Sequence, residues 1–508
     1  MAASAGEAVH LRSRPCVEAE RTMGIVELIR RLLGTNTTSP PARVPQAVAP
    51  PPTTVHCPPE PREPTTQPSP PKPTPGRFLD DIQVTNEYQT AVALLDSGRP
   101  VVFVTGRAGT GKSTLIRYLR NTLDKRLAVV APTGVAAINA EGATIHSFFR
   151  LPPKIHEDED IKLVHDRKLY QKLELLIVDE VSMVRADLMD SVDRFLRKNR
   201  RSGQPFGGVQ LLLIGDLFQL PPVVGKQERD VLTSRGYTTP YFFGAFSIGQ
   251  TPVSFVELTT VFRQVDQSFI DLLNRIRVGE DVDDAVAEIN RRCLRNDDTP
   301  TDITLTCTNA KADEINTDGL EKLPTKERVY RGSIRGTFSL EHDRLPSPMD
   351  LTLKVGARVM FTKNDELHRW VNGTIGVVRE THKDYVTVEL LSDSRGAIHS
   401  VQPVTWETYK YEYDEEEDRI VARKVGEYTQ YPLMLAWAVT IHKSQGKTLD
   451  NVLVDLGHGA FAPGQVYVAL SRCRSLDGIR LARPIRPSDV KCDPAIKQFY
   501  QELARGAS

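Results

Sequence analysis

The run "PVVFVTGRAGTGKSTLIRYLRNTL", residues 100–123, constrains the fold of this chain more than any other. It opens on an apolar, β-branched stretch, the composition of a strand buried on both faces. Leu115, Ile116, Leu119 and Leu123 then recur at helical spacing. Between the two, Gly106 to Ser113 match the pattern GxxxxGK[ST]. Gly106, Gly109 and Gly111 let the backbone wrap closely around phosphates and aim N–H groups inward, and the helix start adds positive potential. Lys112 can reach the β and γ phosphates, Ser113 can hold Mg²⁺, and Thr114 joins them in the same helical turn. A buried strand feeding such a helix implies a parallel sheet covered on both faces. The stretch predicts a nucleotide site in an α/β fold.

The strands alternate with helices from Phe78 onward, whereas the first 76 residues differ in kind. Residues 35–76 are dense in proline and nearly free of large apolar side chains, so they cannot offset their ordering entropy and read as a disordered tether. Before them, "MGIVELIRRLLG" sets Ile25, Leu28, Ile29, Leu32 and Leu33 against Arg30 and Arg31, a short amphipathic helix over 23–33. Such a helix could dock on a protein partner; the other reading is an inert tail, with translation starting at Met23. Glu7, Glu18 and Glu20 argue against a mitochondrial presequence, since those are acid-poor.

At 508 residues the length corresponds to roughly three domains. Lys plus Arg and Asp plus Glu both number 65, so a nucleic-acid partner would need a local positive channel in place of a global field. No apolar run approaches the ~18 residues of a membrane span, so no membrane partner is expected. The six cysteines form no CxxC pair and read as reduced thiols in a cytosol-like compartment.

Two further strands point at the phosphate loop. "LELLIVDEVSMV" ends a buried strand in Asp179 and Glu180, at the carboxyl end where ligands bind in open α/β sheets. Asp179 suits the Mg²⁺ shell and Glu180 the polarisation of an attacking water. "VQLLLIGDLFQLPP" brings Asp216 and Gln219 to the same edge, where a glutamine amide can report on the γ-phosphate. "ELTTVFRQ" and "GQVYVALSRCRS" supply Arg263 and Arg472, and a guanidinium from a facing lobe stabilises the charge of phosphoryl transfer. To this point a nucleotide kinase, a GTPase-like switch and a helicase all fit.

Ten blocks, in order from about residue 84 to 482, resemble the Pif1-like DNA helicases, relatives of the RecD helicases in superfamily 1B. They are "GRAGTGKST", "APTGVAAINAEGATIHSFF", "LLIVDEVSMV", "IGDLFQLPPV", "ELTTVFRQ", "LTCTNAKADEIN", "GARVMFTKN", "WVNGTIGVV", "AVTIHKSQGKTLD" and "GQVYVALSRCRS". The resemblance implies two RecA-like P-loop NTPase lobes with ATP in the cleft between them. Lobe 1A would span 77–248, with a 1B wedge near 149–165. Lobe 2A would comprise 249–350 and 433–490, offering Arg263 and Arg472 across the gap. A small SH3-like β insertion, 2B, would occupy 351–432, with the acidic run Asp414 to Asp418 as a solvated hairpin tip or a regulatory element. Residues 491–508 would close the chain with a helix.

Motif V of the family implies that His442, Lys443 and Ser444 face single-stranded DNA, while Gln445 and Gly446 lie near the nucleotide. A stiff segment touching both ligands lets each sense the other. Thr133 and His146 would join the DNA surface, and of Phe148 and Phe149 one is expected in the core and one stacked on bases. Gln89 stands where the family reads adenine, in a loosely fitting motif. The implied activity is an ATP- and Mg²⁺-dependent 5′ to 3′ DNA helicase acting on single-stranded, forked or structured DNA in replication, repair or recombination. It would work as a monomer in a bacterial cytoplasm, a nucleus or a mitochondrion. The rivals are an RNA helicase and an ATP-gated DNA clamp that unwinds nothing.

Overall fold

The computed structural model describes residues 82–264, 266–294, 301–338, 345–391 and 396–506. The expected tail over 1–76 and its helix over 23–33 lie outside the described residues. Among the described residues no helix is long and apolar enough to cross a membrane.

The first lobe is built on a parallel sheet of six strands in the order β3-β2-β4-β5-β1-β6. Helix α1 (Asn86–Asp96) precedes β1 (Val101–Gly106), and α2 (Lys112–Thr122) follows it. Then come β2 (Leu127–Ala131), α3 (Gly134–Asn139), β3 (Ala143–Thr144), α4 (Ile145–Phe148), β4 (Leu175–Val178), α5 (Ala186–Arg200), β5 (Gln210–Ile214) and β6 (Val253–Leu258). Every residue of β1 and β4 is buried, as continuous apolar runs in a doubly covered parallel sheet should be. Strand β6 corrects the expected lobe boundary at 248. It pairs in parallel with β1 from Val101↔Val253 to Gly106↔Leu258, because Val256 and Leu258 bury themselves in the same core as Val104 and Leu115. The first lobe therefore runs on through Leu258.

Residues 149–165 carry only a short 3₁₀ turn, Asp158–Asp160, and lean on α5. The amide of Val164 donates to Asn199 Oδ1 at 2.9 Å, and His156 Nδ1 meets Ser191 Oγ at 3.1 Å.

The second lobe holds a parallel sheet in the order β18-β7-β19-β20. Its elements are α6 (Gln267–Val278), α7 (Val282–Cys293), β7 (Ile303–Thr306), α8 (Asn309–Glu321), β18 (Ala438–Thr440), β19 (Val452–Asp455), α9 (Gln465–Leu470) and β20 (Ile479–Leu481). One apolar core joins α6, α7 and α9 to the sheet through Leu273, Ile289, Leu305, Val454 and Val468.

Antiparallel strands interrupt this lobe over a longer stretch than the expected 351–432. They begin at β8 (Arg328–Arg331) and β9 (Ser333–Gly336) and end at β17 (Leu433–Leu435). Strand β10 (Asp350–Leu353) pairs with β8. Strands β11 (Arg358–Phe361), β12 (Ile375–Thr381), β13 (Val386–Leu390) and β14 (Ile398–Val401) form a sheet in the order β14-β13-β12-β11-β17. Tyr330 and Leu433 pack into the same core as Phe361 and Val388, which is why the boundary moves outward at both ends.

A long hairpin of β15 (Val404–Asp414) and β16 (Arg419–Gln430) leaves this insertion and rests on the first lobe. Tyr411 is buried, and its hydroxyl accepts from the Val129 amide at 3.1 Å. The acidic tip is exposed, as expected, but also anchored. Asp418 pairs with Arg126 at 2.9 Å and Glu415 pairs with Lys168. The closing helix α10 (Pro494–Gly506) covers the first sheet, where Phe499 stacks on Phe243 and the Tyr500 hydroxyl meets Thr105 Oγ1 at 2.9 Å.

Candidate active site

The carboxyl ends of β1, β4 and β5 converge on one edge of the first sheet. Beyond β1, the phosphate loop enters α2 through Gly111, which is left-handed at φ 85°. Gly109 is also left-handed (φ +83°), and a Cβ there would stand 2.5 Å from Arg263 Cβ. Glycine is thus required twice over, by conformation and by the close approach of Arg263. The Tyr88 hydroxyl on α1 donates to the Gly111 carbonyl at 2.7 Å and props the loop. Gln89, one residue on, is exposed, so Tyr88 is the member of this helix that touches the loop.

Lys112 Nζ donates to the carbonyls of Gly106 at 2.8 Å and Arg107 at 3.0 Å. Burial lowers its pKa, against the pull of Asp216 and Glu180. Ser113, exposed, and Thr114, half-buried, follow on the first turn of α2. Beyond β4, burial raises the Asp179 carboxyl to about 7, and the neighbouring Glu180 adds to the rise. Its Oδ1 accepts from the Glu180 amide at 2.9 Å. Glu180 is left-handed (φ 48°), a conformation that costs a non-glycine residue about 1–3 kcal/mol and recurs at functional sites. Its pKa is also raised, by burial first, despite Lys112 and Arg472. Two carboxyls held above their usual range favour a cation beside them. They fit a hydrated Mg²⁺ shared with Ser113 and phosphate oxygens.

Beyond β5, Asp216 is fully buried. Burial alone would raise its pKa, but Arg277 and then Lys112 hold it below the usual carboxylate range. Gln219 Nε2 donates to Asp216 Oδ2 at 3.3 Å, and Gln445 Nε2 donates to Gln219 Oε1 at 3.4 Å.

Both predicted arginines reach this edge by routes the sequence did not distinguish. Arg472, just past α9, comes from the second lobe and is buried, donating to the Val468 carbonyl at 2.9 Å. Arg263 does not come across the gap. It follows β6 of the first sheet, lies against Gly109, and reaches over to the Ser471 carbonyl at 3.3 Å. Burial disfavours the charge of both, so each gains from an anion placed beside it.

The expected DNA-facing residues divide. Lys443 is exposed, and Thr133, His146 and His442 are half-buried. Thr133 caps α3 by accepting from the Ala136 amide. Gln445 is half-buried and Gly446, left-handed at φ 78°, is exposed. Ser444 is 0% exposed and donates to the Ile441 carbonyl, so its hydroxyl braces the turn and does not face a ligand. Phe148 and Phe149 are both core, correcting the expected division. Phe148 packs edge-on to Tyr170 and Tyr411, and Phe149 edge-on to Phe195.

Sequence reasoning missed Tyr88, Arg277, Tyr467 and Lys447. Lys447 Nζ donates to Asn372 Oδ1 of the insertion at 2.8 Å, and burial lowers its pKa to about 8. For Arg277 a signal existed, since it falls four residues after Leu273 on the apolar stripe of α6, where a charge is unexpected.

A family model described as PIF1-like helicase matches residues 83–286. The chain is 34% identical over 439 residues to the ATP-dependent DNA helicase Pif1 of Bdellovibrio bacteriovorus, covering 84% of this chain and 93% of that protein. It is 34% identical over 447 residues to the Homo sapiens ATP-dependent DNA helicase PIF1, of which it spans 64%. Its structure is similar to Bacteroides sp Pif1 in complex with ADP-AlF4, with a TM-score of 0.77, 39% identity, and coverage of 84% of this chain and 98% of that one. The chain belongs to the PIF1-like helicase family.

Proposed function

We propose that this chain is an ATP-dependent DNA helicase that translocates 5′ to 3′ on single-stranded DNA and unwinds forked or structured duplexes. The observation that carries the proposal is Arg472, buried on the second lobe within electrostatic reach of Glu180 and Arg263 on the first, where Arg263 lies against the phosphate loop. A triphosphate between them is stabilised only while the lobes stand together, so hydrolysis and lobe motion are tied. In this reading Lys112 neutralises the β and γ phosphates. Ser113 and Asp179 hold Mg²⁺, Glu180 polarises the water, and Gln219 bonds the γ-phosphate. Gly106, Gly109, Gly111, Thr114, Gln445 and Gly446 line the nucleotide. Thr133, His146, His442 and Lys443 contact the DNA strand.

The relatives named above are DNA helicases, which weighs against an RNA helicase. The presence of Glu180, Gln219 and both arginines weighs against a clamp that only binds. The protein acts as a monomer in a DNA-containing compartment, with residues 1–76 serving a protein partner. The deciding experiment is strand displacement with ATP and Mg²⁺ on duplexes carrying only a 5′ or only a 3′ overhang. Unwinding restricted to the 5′ overhang and abolished by EDTA is expected. Unwinding from the 3′ overhang alone would reverse the polarity, and none from either would leave a clamp.

A further inference from the structure

A continuous chain of hydrogen bonds runs from the phosphate loop to the segment that carries His442 and Lys443. The Ala108 amide donates to the Tyr467 hydroxyl at 3.1 Å, and that hydroxyl donates to Asp216 Oδ2 at 3.2 Å. Gln219 donates to the same carboxylate oxygen at 3.3 Å and accepts from Gln445 at 3.4 Å. Ala108, Asp216 and Gln219 belong to the first lobe, while Tyr467 and Gln445 belong to the second. The chain therefore crosses the cleft three times.

Its middle is dry and rigid. Asp216 is 0% exposed, Tyr467 3% and Gln219 6%. Arg277 of α6 grips the other carboxylate oxygen, Oδ1, through Nε at 3.2 Å and Nη2 at 3.0 Å, with its guanidinium 4.6 Å above the Phe218 ring. Gly464 (φ +74°) lets α9 begin directly on the Gln219 and Phe218 carbonyls, a space that any Cβ would fill. Burial, reinforced by Asp216, pushes the Tyr467 phenol well above its ordinary range, so it remains a donor at working pH.

We propose that Tyr467 and Asp216, clamped by Arg277, are positioning residues that relay the state of the DNA-facing segment to the phosphate loop. Breaking any link in a buried polar chain strands a partner, so its members shift together. The Gln219 amide is the pivot. Its donor is fixed on Asp216 and its acceptor on Gln445, so rotating it for a phosphate disturbs both ends. The inference rests on the proposed DNA-driven ATPase and assigns a carrier for that coupling.

The test compares ATP turnover with and without a poly-dT oligonucleotide in the parent, in Tyr467→Phe, in Gln445→Leu and in the double variant. Tyr467→Phe keeps the ring and removes only the hydroxyl. Stimulation by the oligonucleotide is expected to fall about tenfold in Tyr467→Phe, within the usual range of coupling free energies. The double variant should lose no more than the worse single, as links in series require. Stimulation within twofold of the parent in Tyr467→Phe, or losses that multiply in the double variant, would overturn the relay. Should Tyr467→Phe fail to fold, Gln445→Leu on its half-buried segment decides alone, because parent-like stimulation there also breaks the proposal. A parent protein that DNA does not stimulate would overturn both the relay and the function beneath it.

Discussion

The ammonium of Lys112 donates to the carbonyl oxygen of Gly106 at 2.8 Å, folding the side chain back over the loop that precedes it. Phosphate oxygens are stronger acceptors than these carbonyls for a buried cation. Replacing Lys112 with Ala should slow ATP hydrolysis on the order of 100-fold or more, the scale set by loss of a charge-stabilising donor. Binding of single-stranded DNA, followed by fluorescence anisotropy, should stay near the parent value. Near-normal turnover in Lys112→Ala would remove the loop from the chemistry.

Asp179 makes stability depend on pH in a direction opposite to most carboxylates. Its folded pKa, raised to about 7 by burial and by Glu180, lies above the unfolded value near 4. Its contribution is therefore full below about pH 4 and is lost as pH rises through about 7. Asp179→Asn should raise the nucleotide-free melting temperature at pH 8, corresponding to on the order of 1–3 kcal/mol, with little change at pH 4. Equal shifts at both pH values would contradict the assignment.

Phe148 and Phe149 lie in one aromatic cluster with Tyr170 and Phe195. Phe148→Ala should cost about 3–5 kcal/mol in chemical denaturation, as large-to-small core changes do. Affinity for single-stranded DNA, measured on the folded fraction at low temperature, should be unchanged. A stable variant with weakened DNA binding would return Phe148 to the DNA surface.

The hairpin contacts differ in worth. Tyr411→Phe strands the buried Val129 amide and should cost about 1–3 kcal/mol. Glu415→Ala removes an exposed ion pair with Lys168 and should barely move the denaturation midpoint at low salt, with no effect at high salt. Urea melts at low and high ionic strength separate the two.

Much of this site is legible from local pattern. A strand, a glycine-rich turn and a helix in succession fix Lys112, and two apolar strands ending in acids place Asp179, Glu180 and Asp216 at one edge. What stays hidden depends on partners distant in sequence. Strand β6 joins the first sheet because its register matches β1, roughly 150 residues earlier, and nothing within "VSFVEL" chooses between sheets. Phe148 looks available for stacking until Tyr411 arrives from a separate hairpin. Tyr467 reads as one more apolar position of α9, and only the meeting with Ala108 and Asp216 gives its hydroxyl a task.

The hairpin foot has a mechanical corollary. Tyr411 pins the insertion to Val129, while Arg277 pins α6 to Asp216. Together with the Tyr467 and Gln445 bonds across the cleft, they fasten the two bodies at several places, so a swing about any one line strains the others. Any displacement that slides or parts them must first unfasten a pin, and the fully buried ion pair resists that far more than a single phenol does.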